Sequence, residues 1–322
     1  MHTTAISVII PIYNEEKSIP ILIEKLVNIC GSYDYEIIAI NDGSKDNSLA
    51  ILKDLGLKNN HLKIINFKRN QGQTAAINAG IQHASKDILI FIDSDLENDP
   101  EDIPNLLAKL NEGYDVVSGW RKNRWKNELF TRKLPSLMAN KLISIVSKVK
   151  LHDYGCTLKA YKKEVIENVI LYGEMHRFIP VFCKWQGGKI SEVPVNYQPR
   201  QFGKSNYGIS RTFKVILDLI LIKFFDKYIN KPMHFFGGAG IISLLLGMLC
   251  AVVAIYYKVS GKKDFIQTPL PLMCMIFLVI GILFILMGIL AELLMRTYYE
   301  SQGKKPYQIS EKINFIDGKN SI

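Results

Sequence analysis

The chain has 322 residues, 48% of them hydrophobic, and carries a net charge of +10 with a pI near 9.2. Those values accommodate one sizeable domain and a further, apolar part. The five cysteines, Cys30, Cys156, Cys183, Cys250 and Cys274, are odd in number and widely scattered; this excludes a paired metal-ligand spacing or a dense disulfide framework and favours a reducing compartment.

The first apolar run, residues 6–12, has no basic stretch before it and is too short and too rich in β-branched residues for a signal peptide, so it reads as a buried strand. Strand-like runs at 5–11, 36–40, 62–67, 87–92 and 114–118 alternate with segments at 15–29, 46–55, 71–84 and 101–111 whose apolar residues recur every three or four positions. The alternation predicts an α/β domain with a mainly parallel sheet, and such sheets bind ligands at the carboxyl ends of their strands. Polar clusters fall there: Tyr13-Asn14-Glu15 after the first strand, Asn41-Asp42-Gly43-Ser44 after the second, Arg69-Asn70 after the third, and an acidic stretch after the fourth.

That stretch, Phe91-Ile92-Asp93-Ser94-Asp95-Leu96-Glu97, presents three carboxylates within five residues. Strand alternation predicts that Asp93, Asp95 and Glu97 project to one side, and carboxylate oxygens suit Mg²⁺ or Mn²⁺. Without a cation they repel one another. An isolated Asp-x-Asp is as readily a solvated turn capping the next helix, so its place after a strand decides.

Two other phosphate-binding patterns are excluded. Residues 72–80 lack the G-x-G-x-x-G spacing and follow the third strand, and Gly203-Lys204-Ser205 has Gln198 where a phosphate loop needs its first glycine.

Taken in order and on those strand ends, Pro11-Ile12-Tyr13-Asn14-Glu15, Asn41-Asp42-Gly43-Ser44 and Asp93-Ser94-Asp95 resemble the family 2 glycosyltransferases with a GT-A fold. The resemblance implies a nucleotide-sugar site that includes Pro11, Tyr13, Asn14, Glu15, Asn70 and Asp93, with Asp42 beside the base and Asp95 ligating the metal, helped by Asp93 and Glu97. Asn41 stands where an aspartate is common and Glu97 where a glutamine is, which adds negative charge and leaves direct ligation by Glu97 open. Gly119-Trp120-Arg121, Arg132 with Ser136, Asp153-Tyr154-Gly155-Cys156, residues 173–180 and residues 200–207 narrow the resemblance to the dolichol-phosphate-mannose-synthase-like bacterial branch, which loads sugars onto polyprenyl phosphate. Asp93, Asp95, Arg121, Arg132 and Ser136 are the catalytic set it implies.

Arg121 and Arg124 also suit plain surface charges. His176 is expected to be a structural or interface residue rather than a catalytic base, since no partner that would orient it as a base is evident. Arg200, Lys204 and Ser205 form a basic, glycine-containing loop able to close over a pyrophosphate and exclude water. Pro135 fits the first turn of a helix running to Val149; Arg132 at its threshold and Ser136 one turn on would then meet an anion beside the free N–H groups of the helix start. By resemblance that anion is the lipid phosphate, with Arg121 as a further contact.

Residues 209–229 read as two short helices at a membrane surface, and residues 235–257 and 270–295 as a transmembrane hairpin joined by a short loop. Lys223, Lys227 and Lys231 precede the hairpin and Arg296, Lys304, Lys305 and Lys312 follow it, against Lys258, Lys262, Lys263 and Asp264 in the loop. The positive-inside tendency therefore places both termini in the cytoplasm, with the catalytic domain on that face of the inner membrane.

The expected organisation is a catalytic domain at 1–208, juxtamembrane helices at 209–232, the hairpin at 233–296 and a tail at 297–322. The expected activity is inverting, metal-dependent transfer of a sugar from a nucleotide donor, UDP preferred to GDP, to polyprenyl phosphate; similar enzymes form tetramers. No nucleic-acid partner is expected. A processive polysaccharide synthase is disfavoured because the Q-x-x-R-W motif is broken, with Arg121 in place of the glutamine before Arg124-Trp125. A silent nucleotide-binding membrane scaffold is disfavoured by the intact acidic stretch and basic loop.

Overall fold

The computed structural model describes residues 4–122, 124, 140–141, 143–145, 147–167, 169, 175–200, 202 and 232–301. Two compact units divide the chain, Met1–Ile220 and Leu221–Ile322.

The first unit is built on a seven-stranded sheet in the order β3-β2-β1-β4-β6-β5-β7. Its strands are β1 (Ala5–Ile12), β2 (Asp34–Asn41), β3 (Leu62–Asn66), β4 (Ile88–Phe91), β5 (Val116–Trp120), β6 (Lys159–Lys162) and β7 (Ile190–Pro194). Neighbours are parallel except at β6, which runs antiparallel to both β4 and β5. The expected mainly parallel sheet is therefore present. β6 and β7 add two strands that the periodicity did not resolve, being only four and five residues long.

β1 is buried on both faces, as its nearly unbroken Ile/Val run requires of a central parallel strand. Ile6, Val8, Ile10 and Ile12 face a core with Leu22 and Leu26 of helix α1 (Ile19–Cys30) and with Leu106 and Leu110 of helix α4 (Ile103–Asn111). Ile9 points the other way, onto helix α3 (Gln73–His83), where a Cβ on Gly80 would stand 2.4 Å from its Cγ2. Glycine at that position lets α3 lie directly on the sheet. Helix α2 (Ser48–Lys58) packs beside β3.

Several boundaries shift for local reasons. α1 begins at Ile19, because residues 15–18 form a turn in which the Glu15 carbonyl accepts the N–H groups of Ser18 and Ile19, and Pro20 takes the first helical turn. α4 is preceded by a 3₁₀ turn, Pro100–Asp102, whose end is capped by the Asp99 carboxylate. Residues 175–185 form a 3₁₀ turn, Met175–Phe178, followed by α5 (Ile179–Trp185), with Pro180 again at the helix start.

In the second unit, α6 (Pro232–Val259) and α7 (Leu270–Ser301) pack against each other. Glycines permit the approach: a Cβ on Gly240 would lie 2.8 Å from Ile285 Cγ1 and 2.9 Å from the Gly281 carbonyl oxygen. Ser243 Oγ donates to the Phe277 carbonyl at 2.8 Å, satisfying a polar group between apolar helices. Spans of 28 and 26 residues, with mean hydropathy 2.5 and 3.0, are long and apolar enough to cross a bilayer. Leu245, Leu249, Ile282 and Leu293 are among many large apolar side chains left exposed. The expected interfacial helices at 209–229 lie outside the described residues.

Candidate active site

Strand order places the site. β2 and β3 lie to one side of β1 and β4 to the other, so the chain reverses its direction of travel across the sheet between β1 and β4. That is where an open α/β sheet leaves a crevice at its carboxyl edge. The residues leaving those two strands are Tyr13-Asn14-Glu15 and Asp93-Ser94-Asp95.

β4 ends at Phe91, so strand alternation does not orient the acidic stretch as expected. Residues 93–97 instead form a turn with Leu96 in the left-handed region (φ +62°), buried against the core, and Ser94 Oγ donates to the Pro11 carbonyl at 3.1 Å. The turn nevertheless brings Asp93, Asp95 and Glu97 to one cavity of about 180 Å³, together with Arg121 and Arg200.

The acids of this cavity, and Glu15 outside its lining, are held differently. Asp93 accepts from Thr157 Oγ1 at 2.5 Å and Gln73 Nε2 at 2.7 Å. Burial and the neighbouring Asp95 still push its carboxyl well up from the usual range. Glu97 is also raised, by burial and then Asp95, although it faces Arg121 Nη1 at 3.5 Å and Arg124 Nη2 at 3.8 Å. Glu15 is buried, raised chiefly by that burial, and paired with Arg200. Asp95 Oδ1 accepts the Glu97 N–H at 3.1 Å.

Among the described residues no three His, Cys, Asp or Glu side chains converge as a ready ion-binding group. Asp95 opposes the ionisation of both Asp93 and Glu97, and a divalent cation would relieve that repulsion. The donor set therefore suits a hard ion, with Asp95 foremost, since its partner is a backbone N–H whereas Asp93 and Glu97 already face side-chain donors.

Arg121 is buried, with 6% of its surface exposed, and is not the surface cation it could have been. Its Nε and Nη2 donate to the two oxygens of Asp153 at 2.8 and 3.2 Å. Burial alone would raise Asp153, but the guanidinium outweighs it and holds the carboxyl below its usual range. The pair keeps the 153–157 loop over the cavity, and removing one partner from such a buried pair costs roughly 3–5 kcal/mol.

The donor-side motif residues are organised by backbone contacts. Asn14, at φ +55°, receives the Lys45 N–H on Oδ1 at 2.8 Å, and its own N–H goes to Ser44 Oγ at 3.0 Å. Tyr13 is 42% exposed beside it. Asp42 is buried and receives the N–H groups of Gln71 and Gly72 at 2.6 and 2.9 Å, while Asn70 Nδ2 donates to the Asp42 carbonyl at 3.3 Å. Gly43 (φ +64°) is required here, because a Cβ would stand 2.5 Å from the Arg69 carbonyl carbon. Asp42 and Asn70 are not part of the cavity lining. Arg132, Ser136, Lys204 and Ser205 lie outside the described residues.

The structure adds residues that the sequence did not suggest. Thr157 and Gln73 hold Asp93, and Lys159 lines the cavity from β6, where it is paired with Phe91 of β4. Lys159 is buried, donates to the Tyr154 carbonyl at 3.1 Å, and makes no ion pair among the described residues. Burial, with Arg121 and Arg177 nearby, lowers its pKa to about 8. His176 lines the same cavity, shares a hydrogen bond with Thr74 Oγ1 at 2.8 Å, and is lowered by burial to about 3. It is thus neutral near pH 7 and a poor base, as a structural role implies. The sequence offers no signal for Lys159, because Lys159-Ala160-Tyr161-Lys162 is short and does not alternate polar with apolar residues.

The family model described as glycosyl transferase family 2 matches residues 7–170. The dodecaprenyl-phosphate galacturonate synthase of Rhizobium johnstonii is 41% identical over 315 residues, covering 95% of this chain and 92% of that protein. Two crystal structures of the glucosyl-3-phosphoglycerate synthase of Mycobacterium tuberculosis are similar in fold. The one with Mn²⁺, UDP and phosphoglyceric acid has a TM-score of 0.55 at 19% identity, over 69% of this chain and 78% of that one. The one with Mg²⁺ and UDP has a TM-score of 0.52 at 21% identity, over 68% and 79%.

Proposed function

The chain belongs to glycosyl transferase family 2, and from that premise we propose that it moves a uronic acid from a UDP-sugar to a polyprenyl phosphate at the cytoplasmic face of the inner membrane. The observation that carries this is the single cavity on which Asp93, Asp95 and Glu97 face Arg121 and Arg200, in a chain that also has an apolar helical hairpin. The acceptor class and the sugar follow the similarity to the galacturonate synthase, and UDP is the nucleotide we assign.

In this reaction an oxygen of the lipid phosphate attacks the anomeric carbon of the sugar, the bond from that carbon to the diphosphate oxygen breaks, and UDP leaves with the electron pair. Attack from the face opposite the leaving group inverts the centre. A phosphate monoester is already largely ionised near neutral pH, so orientation and charge balance matter more than a general base, in keeping with the neutral His176. Asp95, with Asp93 and Glu97, would hold a divalent cation, Mg²⁺ or Mn²⁺. That ion would neutralise the departing diphosphate.

Arg200 is poised to exchange Glu15 for a phosphate oxygen. Lys204 and Ser205 are assigned to the same diphosphate, and Arg132, Ser136 and Arg121 to the acceptor phosphate. Glu15, Asn14, Tyr13, Asp42 and Asn70 shape the nucleotide side. The hairpin anchors the enzyme where its lipid substrate lies, both termini are cytoplasmic, and a homotetramer is the assigned assembly.

The test incubates purified protein and undecaprenyl phosphate with a panel of nucleotide sugars, with Mn²⁺ or with chelator. Metal-dependent formation of lipid-linked galacturonate and UDP is expected. Absence of any lipid-linked sugar across the panel would remove the assignment.

A further inference from the structure

A divalent ion and the hydroxyls of a neutral hexose leave Lys159 without a role. This lysine is 3% exposed, is set on β6 directly opposite Phe91, and lines the cavity that carries the acidic turn. Its ammonium has three donors, of which the Tyr154 carbonyl takes one at 3.1 Å, and no carboxylate pairs with it among the described residues. The nearby Asp153 is engaged by Arg121 through two hydrogen bonds. A buried charge in that state is unfavourable unless something of opposite sign completes it.

Completing it requires an anion small enough to enter the cavity beside Asp93 and Asp95. The metal-facing diphosphate has its own cations, the proposed ion and Arg200. Two sources of negative charge are then left, the carboxylate of the sugar and the phosphate of the acceptor. Lys159 belongs to a strand of the sheet, whereas Arg121 and Glu97 lie on the 121–124 and 93–97 turns. A strand position suits a feature of the donor that must be held at one fixed place near the reacting carbon.

We propose that Lys159 is the residue that selects the sugar, its ammonium receiving the carboxylate of a hexuronic acid donor. The proposal rests on the uronate donor assigned above. It explains why a charged side chain is retained inside the cavity, and it makes a neutral hexose a poor substitute, since that donor would leave the ammonium uncompensated.

The test compares wild type and Lys159→Met with UDP-galacturonate and UDP-galactose as donors and undecaprenyl phosphate as acceptor. The variant is expected to lose about 100-fold or more in kcat/KM for UDP-galacturonate. Its preference for that donor over UDP-galactose should collapse, while UDP affinity and the acceptor KM change by less than about threefold. An equal loss with both donors, or a loss confined to a raised acceptor KM, overturns the proposal; the second result would give Lys159 to the lipid phosphate instead. Competition binding to the wild type is a check that does not depend on the variant's folding: UDP-galacturonate must bind more tightly than UDP-galactose, and equal binding overturns the proposal. If the wild type transfers no sugar to lipid at all, the assigned function falls first. If it transfers galacturonate and Lys159→Met keeps the same donor preference, only the role of Lys159 falls.

Discussion

The buried Glu36 and the buried or half-buried carboxylates of the crevice lie towards opposite ends of the same sheet, and they are treated in opposite ways. Near the amino ends, Glu36 of β2 receives Ser7 Oγ at 2.6 Å, Lys63 Nζ at 2.5 Å and the Ser85 N–H at 2.6 Å. Burial alone would raise its pKa, but these partners outweigh it and bring the carboxyl down to about 2. At the carboxyl ends, Glu15, Asp93 and Glu97 are raised despite their hydrogen bonds and cationic neighbours, because burial and the adjacent Asp95 prevail. A carboxylate that serves the fold is fully partnered by the protein. One that serves a ligand is left with repulsion for the ligand to relieve.

The largest expected effect separates the two ends directly. Asp95→Asn replaces a carboxylate with a poorer partner for a divalent ion, which removes several kcal/mol of stabilisation and should lower turnover on the order of 100-fold or more. Because Asp95 receives one backbone N–H, the melting temperature should hardly move. Wild-type, chelator-sensitive turnover in this variant would contradict the assignment of the acidic turn.

Glu36→Ala should do the reverse. It removes the acceptor of the buried Ser7 hydroxyl and of the N–H of the exposed Ser85, so roughly 2–4 kcal/mol of stability should be lost in denaturant unfolding. Donor affinity of the folded fraction should be unchanged. The pH dependence has a definite sign. The folded value, about 2, lies below the ordinary 4.5. The contribution of Glu36 is therefore complete above that ordinary value and is lost as pH falls towards about 2. Glu36→Ala should accordingly show a shallower loss of stability across that acid range than wild type; an identical slope would show that Glu36 is not the group responsible.

The sequence revealed the half of the site that the parallel strands present. β1 is a nearly unbroken apolar run and β4 a continuous one, and the polar residues that follow them, Glu15 and Asp93 among them, mark the crevice. The other half was hidden because it comes from the antiparallel strand β6 and the loop before it. Four residues carry too little periodicity to declare a strand, and Thr157 and Lys159 meet Asp93 or its cavity only once β6 has inserted between β4 and β5, while Gln73 reaches Asp93 from the start of α3. Arg121 was found by resemblance, but its burial against Asp153 is a long-range contact across 32 positions, which local pattern does not encode. Asp93, Asp95 and Glu97 do share one cavity, but a turn rather than strand alternation brings them there, because the strand stops at Phe91 and the backbone turns at Leu96.

The smallest expected effect tests a residue that stands between the two kinds. Asp42 lies at the ligand-binding edge, directly after β2, yet its two carboxylate oxygens receive the backbone N–H groups of Gln71 and Gly72 at 2.6 and 2.9 Å. In Asp42→Asn one oxygen continues to accept, while the new NH₂ group opposes the other N–H donor-to-donor, so one clamp on the 71–72 turn is lost. That turn opens α3, which supplies Gln73 to Asp93. If Asp42 also stands beside the nucleotide base, the variant should bind UDP about tenfold more weakly, the equivalent of one hydrogen bond to a charged group. Its kcat at saturating donor should stay near the wild-type value, because the carboxylates of the cavity are untouched. Unchanged UDP affinity together with a lower melting temperature would place Asp42 with Glu36, as a carboxylate that holds the fold.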